Sequence, residues 1–218
     1  MNTRPLAIAS LVLAAVMAAF AFLTEARLPE GALLPTHWNA AGEPDDWAPA
    51  LQALLFPVGL ILFVTLIFSF IPRLEPLQDR LDGSAPVLRA SWGGLLGTAA
   101  IIQLAVALPA YGIDPPITIV PLAVGLLFIL LGNVLPKSRP GFFVGIRTPW
   151  AIIDTDNWIA THRLGGKLML LAGIAIVVAS ILPLSADLRA SIVIGAVVLV
   201  AIPPFLFSWW LWERKKAA

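Results

Sequence analysis

Long uncharged apolar stretches, broken by short polar ones, dominate the chain. Runs at 5 to 24, 51 to 71, 90 to 113, 115 to 135, 168 to 186 and 190 to 212 each approach the length of about 20 residues at which a helix crosses the hydrocarbon core of a bilayer. Six spanning helices are predicted. The polar segments between them, at 25 to 50, 72 to 89, about 111 to 116, 136 to 163 and about 184 to 189, must alternate between the two membrane faces. The predicted fold class is all-α integral membrane, one membrane domain over 1–218. It comprises an extracytoplasmic loop at 25–50, a cytoplasmic segment at 132–163 with a short interfacial helix between the fourth and fifth spans, and a C-terminal helical pair at 164–212.

Composition agrees with this pattern. Of 218 residues 59% are hydrophobic and only 12% charged, and the mean hydropathy is +0.91, values that leave no soluble surface for a chain of this size. The net charge of +1 conceals a separation of cations. With the amino terminus inside, Arg4, Arg73, Arg80, Arg89, Lys137, Arg139, Arg147, Arg163, Lys167, Arg214, Lys215 and Lys216 are cytoplasmic and only Arg27 and Arg189 outside, 12 against 2. The positive-inside rule then predicts both termini in the cytoplasm. The eight tryptophans, Trp38, Trp47, Trp92, Trp150, Trp158, Trp209, Trp210 and Trp212, fall at or beyond the ends of the predicted spans, the headgroup level that indole prefers.

The first apolar run has a competing interpretation. Arg4 followed by an apolar stretch and Ala19-Phe20-Ala21 has the form of a cleavable signal peptide; its removal would leave five spans and the same cytoplasmic carboxyl terminus. The absence of Cys excludes disulfides, thiolate metal sites and a cysteine nucleophile.

Within the spans, Gly93 and Gly97 at GxxxG spacing and Gly125 and Gly132 seven apart predict close helix approach. Pro57, Pro121 and Pro203-Pro204 predict local bends. Gln103 is the only strongly polar side chain deep in a span, and a bond across helices is its expected role. No Asp, Glu, Lys or Arg stands at the middle of a predicted span, which argues against ion-coupled transport.

The loops carry what is distinctive. Segment 25–50 holds five acids and one Arg, with Pro29, Pro35, Pro44 and Pro49 opposing helix. A turn region is predicted, with Trp38 and Trp47 lying on the membrane surface. It serves either as a lid or receptor loop or as a solvated connector. In 132–163, Phe142 to Ile153 is a twelve-residue, almost wholly apolar run interrupted by Arg147, a length suited to lying in the interface or re-entering. Arg147 is expected to reach lipid phosphate, stack on Trp150 or meet a helix-end carbonyl. Asp154-Thr155-Asp156 predicts the start of the short interfacial helix. Trp158 and His162 share one face of it beside Thr161, and Gly165-Gly166 allows a turn or tight packing into the fifth span. His37 and His162 are predicted on opposite membrane faces, which excludes a two-histidine metal site. A His162 dyad with Asp154 or Asp156 lacks a nucleophile, so an anchored, hydrogen-bonded histidine is expected.

Gly132-Asn133, then Gly145-Ile146-Arg147-Thr148-Pro149-Trp150, then Trp158 and Arg163 resemble the signature of the SdpI-type bacterial immunity proteins, with His162 inside the same segment. The stretch Leu34-Pro35-Thr36-His37-Trp38-Asn39-Ala40-Ala41-Gly42-Glu43-Pro44-Asp45 is similar to the short domain of unknown function that precedes the immunity core in that family. The resemblance implies a bacterial inner-membrane protein that protects its cell from a secreted, membrane-damaging peptide toxin. It also implies a signalling role in which the toxin-bound protein holds a transcriptional repressor at the membrane. Pro35, His37, Trp38, Asn39, Gly42, Pro44, Asp45 and Asp46 become candidate toxin contacts. The Pro-rich acidic loop and Ala-rich helices differ from a low-GC Gram-positive prototype and point to a high-GC source. No catalytic group, metal, cofactor or direct nucleic-acid contact is expected, and membrane lipid is the surrounding partner. Two alternatives stand beside this. One is a transporter or lipid-handling protein in which Arg147, Lys137, Arg139 and Arg163 bind an anionic headgroup. The other is an enzyme pocket joining His162, Arg147 and a carboxylate.

Overall fold

The computed structural model describes residues 2–38, 44–114, 116 and 118–217, apart from the side chains of Gln78 and Asp79. Helix α1 (Arg4–Glu25) leads into a hairpin of β1 (Leu33–Trp38) and β2 (Pro44–Pro49), then α2 (Ala50–Leu74), α3 (Gln78–Ala107), α4 (Ile119–Val134), a short α5 (Pro149–Ile153), α6 (Thr155–Ile181) and α7 (Ala186–Lys216). Among the described residues six helices, all but α5, are long and apolar enough to cross a membrane. The predicted class therefore holds. α1, α2 and α3 pack together, α4, α6 and α7 pack together, and the α3–α4 contact joins the two groups.

Two helices begin more than a turn before their predicted starts. α3 starts at Gln78 rather than 90 and α6 at Thr155 rather than 168. In α3 the polar residues Arg80, Asp82 and Arg89 face outward, while Leu81, Ala85, Leu88 and Trp92 form a buried stripe at helical spacing. In α6 a stripe of Trp158, Thr161, His162, Gly165 and Gly166 runs on into Ala172, Gly173 and Ile176. Gly165-Gly166 thus packs tightly and makes no turn. The short helix between the fourth and fifth spans is α5, capped by Thr148, whose side chain accepts the Ala151 N–H at 3.1 Å. The helix beginning after Asp154 is the first part of the fifth span itself.

The tightest packing lies between α4 and α6. A methyl on Gly132 would stand 2.6 Å from the Leu170 nitrogen and 2.8 Å from the Gly166 carbonyl oxygen, and one on Gly173 2.6 Å from the Gly125 carbonyl oxygen. The seven-residue pair Gly125 and Gly132 meets a second such pair, Gly166 and Gly173, so the backbones touch. Gly93 and Gly97 do not pack as predicted: both are exposed, and nothing lies within 4 Å of a methyl on either. Among the α3 glycines at this face, Gly94 is the one that approaches α4, at Leu127 and Leu130. Pro121 stands in the first turn of α4, where its missing N–H has no helical acceptor to lose and no bend is required.

Trp92 and Trp158 are fully buried and so depart from the expected headgroup position. Each has a partner for its N–H, Trp92 on Ser10 Oγ at 3.0 Å and Trp158 on Ser138 Oγ at 3.1 Å, which is what allows indole inside. Gln103 fulfils its expected role. Its Nε2 donates to the carbonyl oxygens of Met17 and Leu54, both at 2.9 Å, tying α3 to α1 and α2. Gln103→Leu is expected to lower the unfolding free energy by about 1 kcal/mol, since such bonds average well below 2 kcal/mol in membranes; a denaturation midpoint in mixed micelles measures it.

Residues 25–50 hold more order than turns. β1 and β2 pair antiparallel, Leu33 with Pro49 and Trp38 with Pro44, with irregular register around His37. Leu34 is buried with Ala50, Ala53, Leu54 and Val106, which seats the hairpin on α2 and α3. α2 follows β2 without an intervening residue.

Candidate functional site at each end of the bundle

At one end, segment 132–163 folds onto the starts of α3 and α6 and the end of α7. Trp158 and His162 stack with ring centroids 4.0 Å apart. The Ile146 N–H donates to His162 Nε2 at 2.8 Å, so Nε2 is unprotonated and Nδ1–H donates to the Trp158 carbonyl oxygen at 2.8 Å. Gly145 precedes this contact at φ +113°, and a methyl there would collide with His162 Nε2 and stand 2.8 Å from Trp158 Cζ2. Only glycine serves at that point. The expected anchored histidine is thus observed, buried rather than interfacial. A dyad with Asp154 or Asp156 does not form, because backbone groups occupy both ring nitrogens.

A second set of bonds fastens α7. The Ser208 hydroxyl donates to Asn157 Oδ1 at 2.7 Å, so the Thr148 hydroxyl, 2.6 Å away, donates to Ser208 Oγ. Thr161 also donates to Asn157 Oδ1 at 3.0 Å, and Asn157 Nδ2 donates to the Ser208 carbonyl oxygen at 2.8 Å. All four side chains are buried. Glu75, at the end of α2, is buried too; its carboxylate accepts the N–H groups of Phe142 and Phe143 at 2.9 and 3.1 Å. Ser84 Oγ accepts the Arg139 N–H at 2.8 Å. Glu75, Ser84, Asn157 and Ser208 carry no sequence signal of their own, since each is a common residue whose importance comes from a distant partner.

The signature residues divide accordingly. Gly145, Thr148, Trp158 and His162 come together, Gly132 lies in the α4–α6 contact, and Pro149 opens α5. Asn133, Arg147 and Arg163 are exposed. Trp150 meets Phe205 edge-on at 5.5 Å, and Arg147 does not stack on it. Instead Arg147 Nη1 donates to the Phe142 carbonyl oxygen at 3.1 Å, bridging its own bend. Residues 142–153 form bends and then the five-residue α5, not one helix that could re-enter. The enzyme pocket of His162, Arg147 and a carboxylate is likewise not assembled.

Asp154 caps α6 as predicted, accepting the Asp156 and Asn157 N–H groups at 3.0 and 3.4 Å, and also bonds Lys215 Nζ at 2.9 Å. The Lys215 bond, with the two N–H groups adding to it against partial desolvation, holds the Asp154 carboxyl below its usual 3.8. A carboxyl lowered on folding stabilises fully above its unfolded pKa and loses that contribution as pH falls through the folded value. The stability difference between wild type and Asp154→Asn is expected to be constant at neutral pH and to shrink only below 3.8, read as thermal midpoints along a pH series.

At the other end, the hairpin overhangs a cleft of about 840 Å³ between α2, α3, α4 and α7, within the range of about 300–1,000 Å³ typical of ligand sites. Thr36, His37, Trp38, Asp46, Gln52 and Arg189 line its hairpin side; Phe56, Pro57, Ile102 and Val193 lie further along their helices from the hairpin. His37 Nδ1 bonds Asp45, and Thr36 Oγ1 donates to Asp46 Oδ2 at 3.2 Å. Of the candidate contacts, Pro35, Pro44, Asp45 and Asp46 stand on the hairpin with His37 and Trp38, whereas Asn39 and Gly42 lie outside the described residues. Arg189, which the sequence marked only as an outer cation, donates from Nε to Ala179 O at 3.2 Å and from Nη2 to Leu184 O at 3.1 Å, closing the end of α6.

Comparison with known proteins divides the chain along the same lines. Residues 137–208 match the SdpI/YfhL protein family, a span that ends on Ser208. Residues 11–62 match a domain of unknown function, DUF1648, which covers most of α1, the hairpin and the first half of α2. The chain is 25% identical over 154 residues to a protein named Immunity protein SdpI from Bacillus subtilis (strain 168), 70% of either chain. No solved structure matches it.

Proposed function

We propose that this chain, a multi-pass bacterial inner-membrane protein of the SdpI/YfhL family, confers immunity by receiving a secreted peptide toxin at its hairpin end. The observation that carries the proposal is an acidic hairpin, with Asp45 and Asp46 exposed, seated on the ends of α2 and α3. Exposed acids gather a cationic peptide by long-range attraction and hold it at the hairpin surface. The 12 to 2 cation count supports the hairpin outside and both termini inside. The packed signature end is then the inner face available to a transcriptional repressor, and signalling requires that toxin favour one of two arrangements of that end.

A toxin-challenge assay in a sensitive bacterium tests the proposal. Replacing 35–47 is expected to abolish protection while the protein still accumulates in the membrane, and Arg147→Ala, exposed at the opposite end, to leave protection intact. Full protection without the hairpin would reject it. Because the chain has no Cys, single cysteines at Ala48 and Ala217 report orientation: an impermeant thiol reagent added to whole cells should label only the first. The alternative of lipid handling at Arg147 has less support, since the cleft lies at the other end.

A further inference from the structure

We propose that the cleft at the hairpin end binds one phospholipid with a zwitterionic headgroup, its phosphate on Arg189, its ammonium toward Asp46 and an acyl chain between α2, α3, α4 and α7. Three features carry the proposal. The cleft lies among the ends of four spanning helices, where lipid is the neighbouring phase, and its lining further from the hairpin is apolar, including Phe56, Ile102 and Val193. Gln52 and Arg189 occupy the first turns of α2 and α7. Phe56 and Val193 are each four residues further along, so polar lining gives way to apolar lining within about 6 Å, as headgroup gives way to acyl chain.

The third feature is charge. Arg189 uses Nε and Nη2 on the two carbonyl oxygens that close α6. A guanidinium has five N–H donors, and among the described residues those of Nη1 remain for a phosphate. Its anchorage to α6 holds the fork in place before any ligand arrives. Asp46 contributes the opposite sign to the same lining, held by Thr36 and by the Trp47 N–H at 3.0 Å. A lining with one cation and one anion matches a headgroup that carries both. A cationic peptide would find complementarity at Asp46 but not at Arg189.

Native mass spectrometry of the purified full chain, incubated with phosphatidylethanolamine, with phosphatidylglycerol of the same acyl chains, or with inorganic phosphate, tests this. One phosphatidylethanolamine per chain is expected, with phosphatidylglycerol held about tenfold more weakly and inorganic phosphate unable to displace lipid. Loss of a charge-assisted hydrogen bond is worth about tenfold or more, so Arg189→Gln should reduce retention by that factor. Ala190→Phe, which fills the cleft and keeps Arg189, should do the same in protein that still elutes as folded. Arg27→Gln, a cation placed over Tyr111 outside the cleft lining, should change nothing. No retained lipid, equal retention of both lipids, retention unchanged in Ala190→Phe, displacement by inorganic phosphate, or a synthetic cationic apolar peptide bound in place of lipid would each overturn the proposal.

Discussion

Gly132→Val is expected to cost the bundle at least about 3 kcal/mol, the upper range for forcing extra carbons into a packed core, and to deplete the protein from membranes. The side chain would meet the Leu170 nitrogen and the Gly166 carbonyl oxygen, atoms of a helix backbone that no rotamer change can move. α4 and α6 would have to separate along their whole contact, the most extensive in the molecule, and the gain in helix propensity, below about 1 kcal/mol, cannot offset that. Gly93→Ala and Gly97→Ala are the controls, because open space surrounds both positions. They should lie within about 1 kcal/mol of wild type or slightly above it. Unfolding midpoints in mixed micelles and membrane abundance measure all three; equal effects at Gly93 and Gly132 would refute the assignment of the contact.

Asn157→Leu should be the second large loss, again of about 3 kcal/mol. It removes the acceptor shared by Ser208 and Thr161 and the donor to the Ser208 carbonyl, leaving two buried hydroxyl protons without that acceptor at about 1–3 kcal/mol each, while Thr148 still donates to Ser208 Oγ. Ser208→Ala alone removes one hydroxyl together with its own need for a partner and should cost less. A double-mutant cycle between the two positions is expected to show coupling of at least about 1 kcal/mol. Additive effects would mean that the network does not act as a unit.

The number of spanning helices was legible because a bilayer admits few alternatives: a run such as 51–71 has no other way to bury its surface. The extents of α3 and α6 were not, because Arg80, Asp82, Gly83 and Pro86, or Asp156 and Arg163, make a stretch look like a loop when summed rather than sorted by face. The buried stripe at 81, 85, 88 and 92 was present in the letters all along. Glycine spacing was ambiguous in another way. GxxxG at 93 and 97 marks a smooth helix face but not its partner, whereas 125 and 132 gain meaning only against 166 and 173. The hairpin was hidden by its prolines, which oppose helix and leave strand and turn undistinguished. In the signature segment, Gly145, Thr148, Trp158 and His162 were visible as a pattern. Glu75, Asn157 and Ser208 were not, since a lone Glu, Asn or Ser shows its role only when folding brings a distant backbone to it.

The junction at Pro49 and Ala50 has a mechanical consequence. β2 ends and α2 begins with no slack between them, and α2 then runs 25 residues, about 37 Å at the rise of an α-helix, to the turn where Glu75 grips Phe142 and Phe143. A push that tilts the hairpin meets no loop in which to dissipate before it reaches that rod. The far end of the rod is clamped to the opposite face of the protein, so load applied on one side of the membrane is borne on the other.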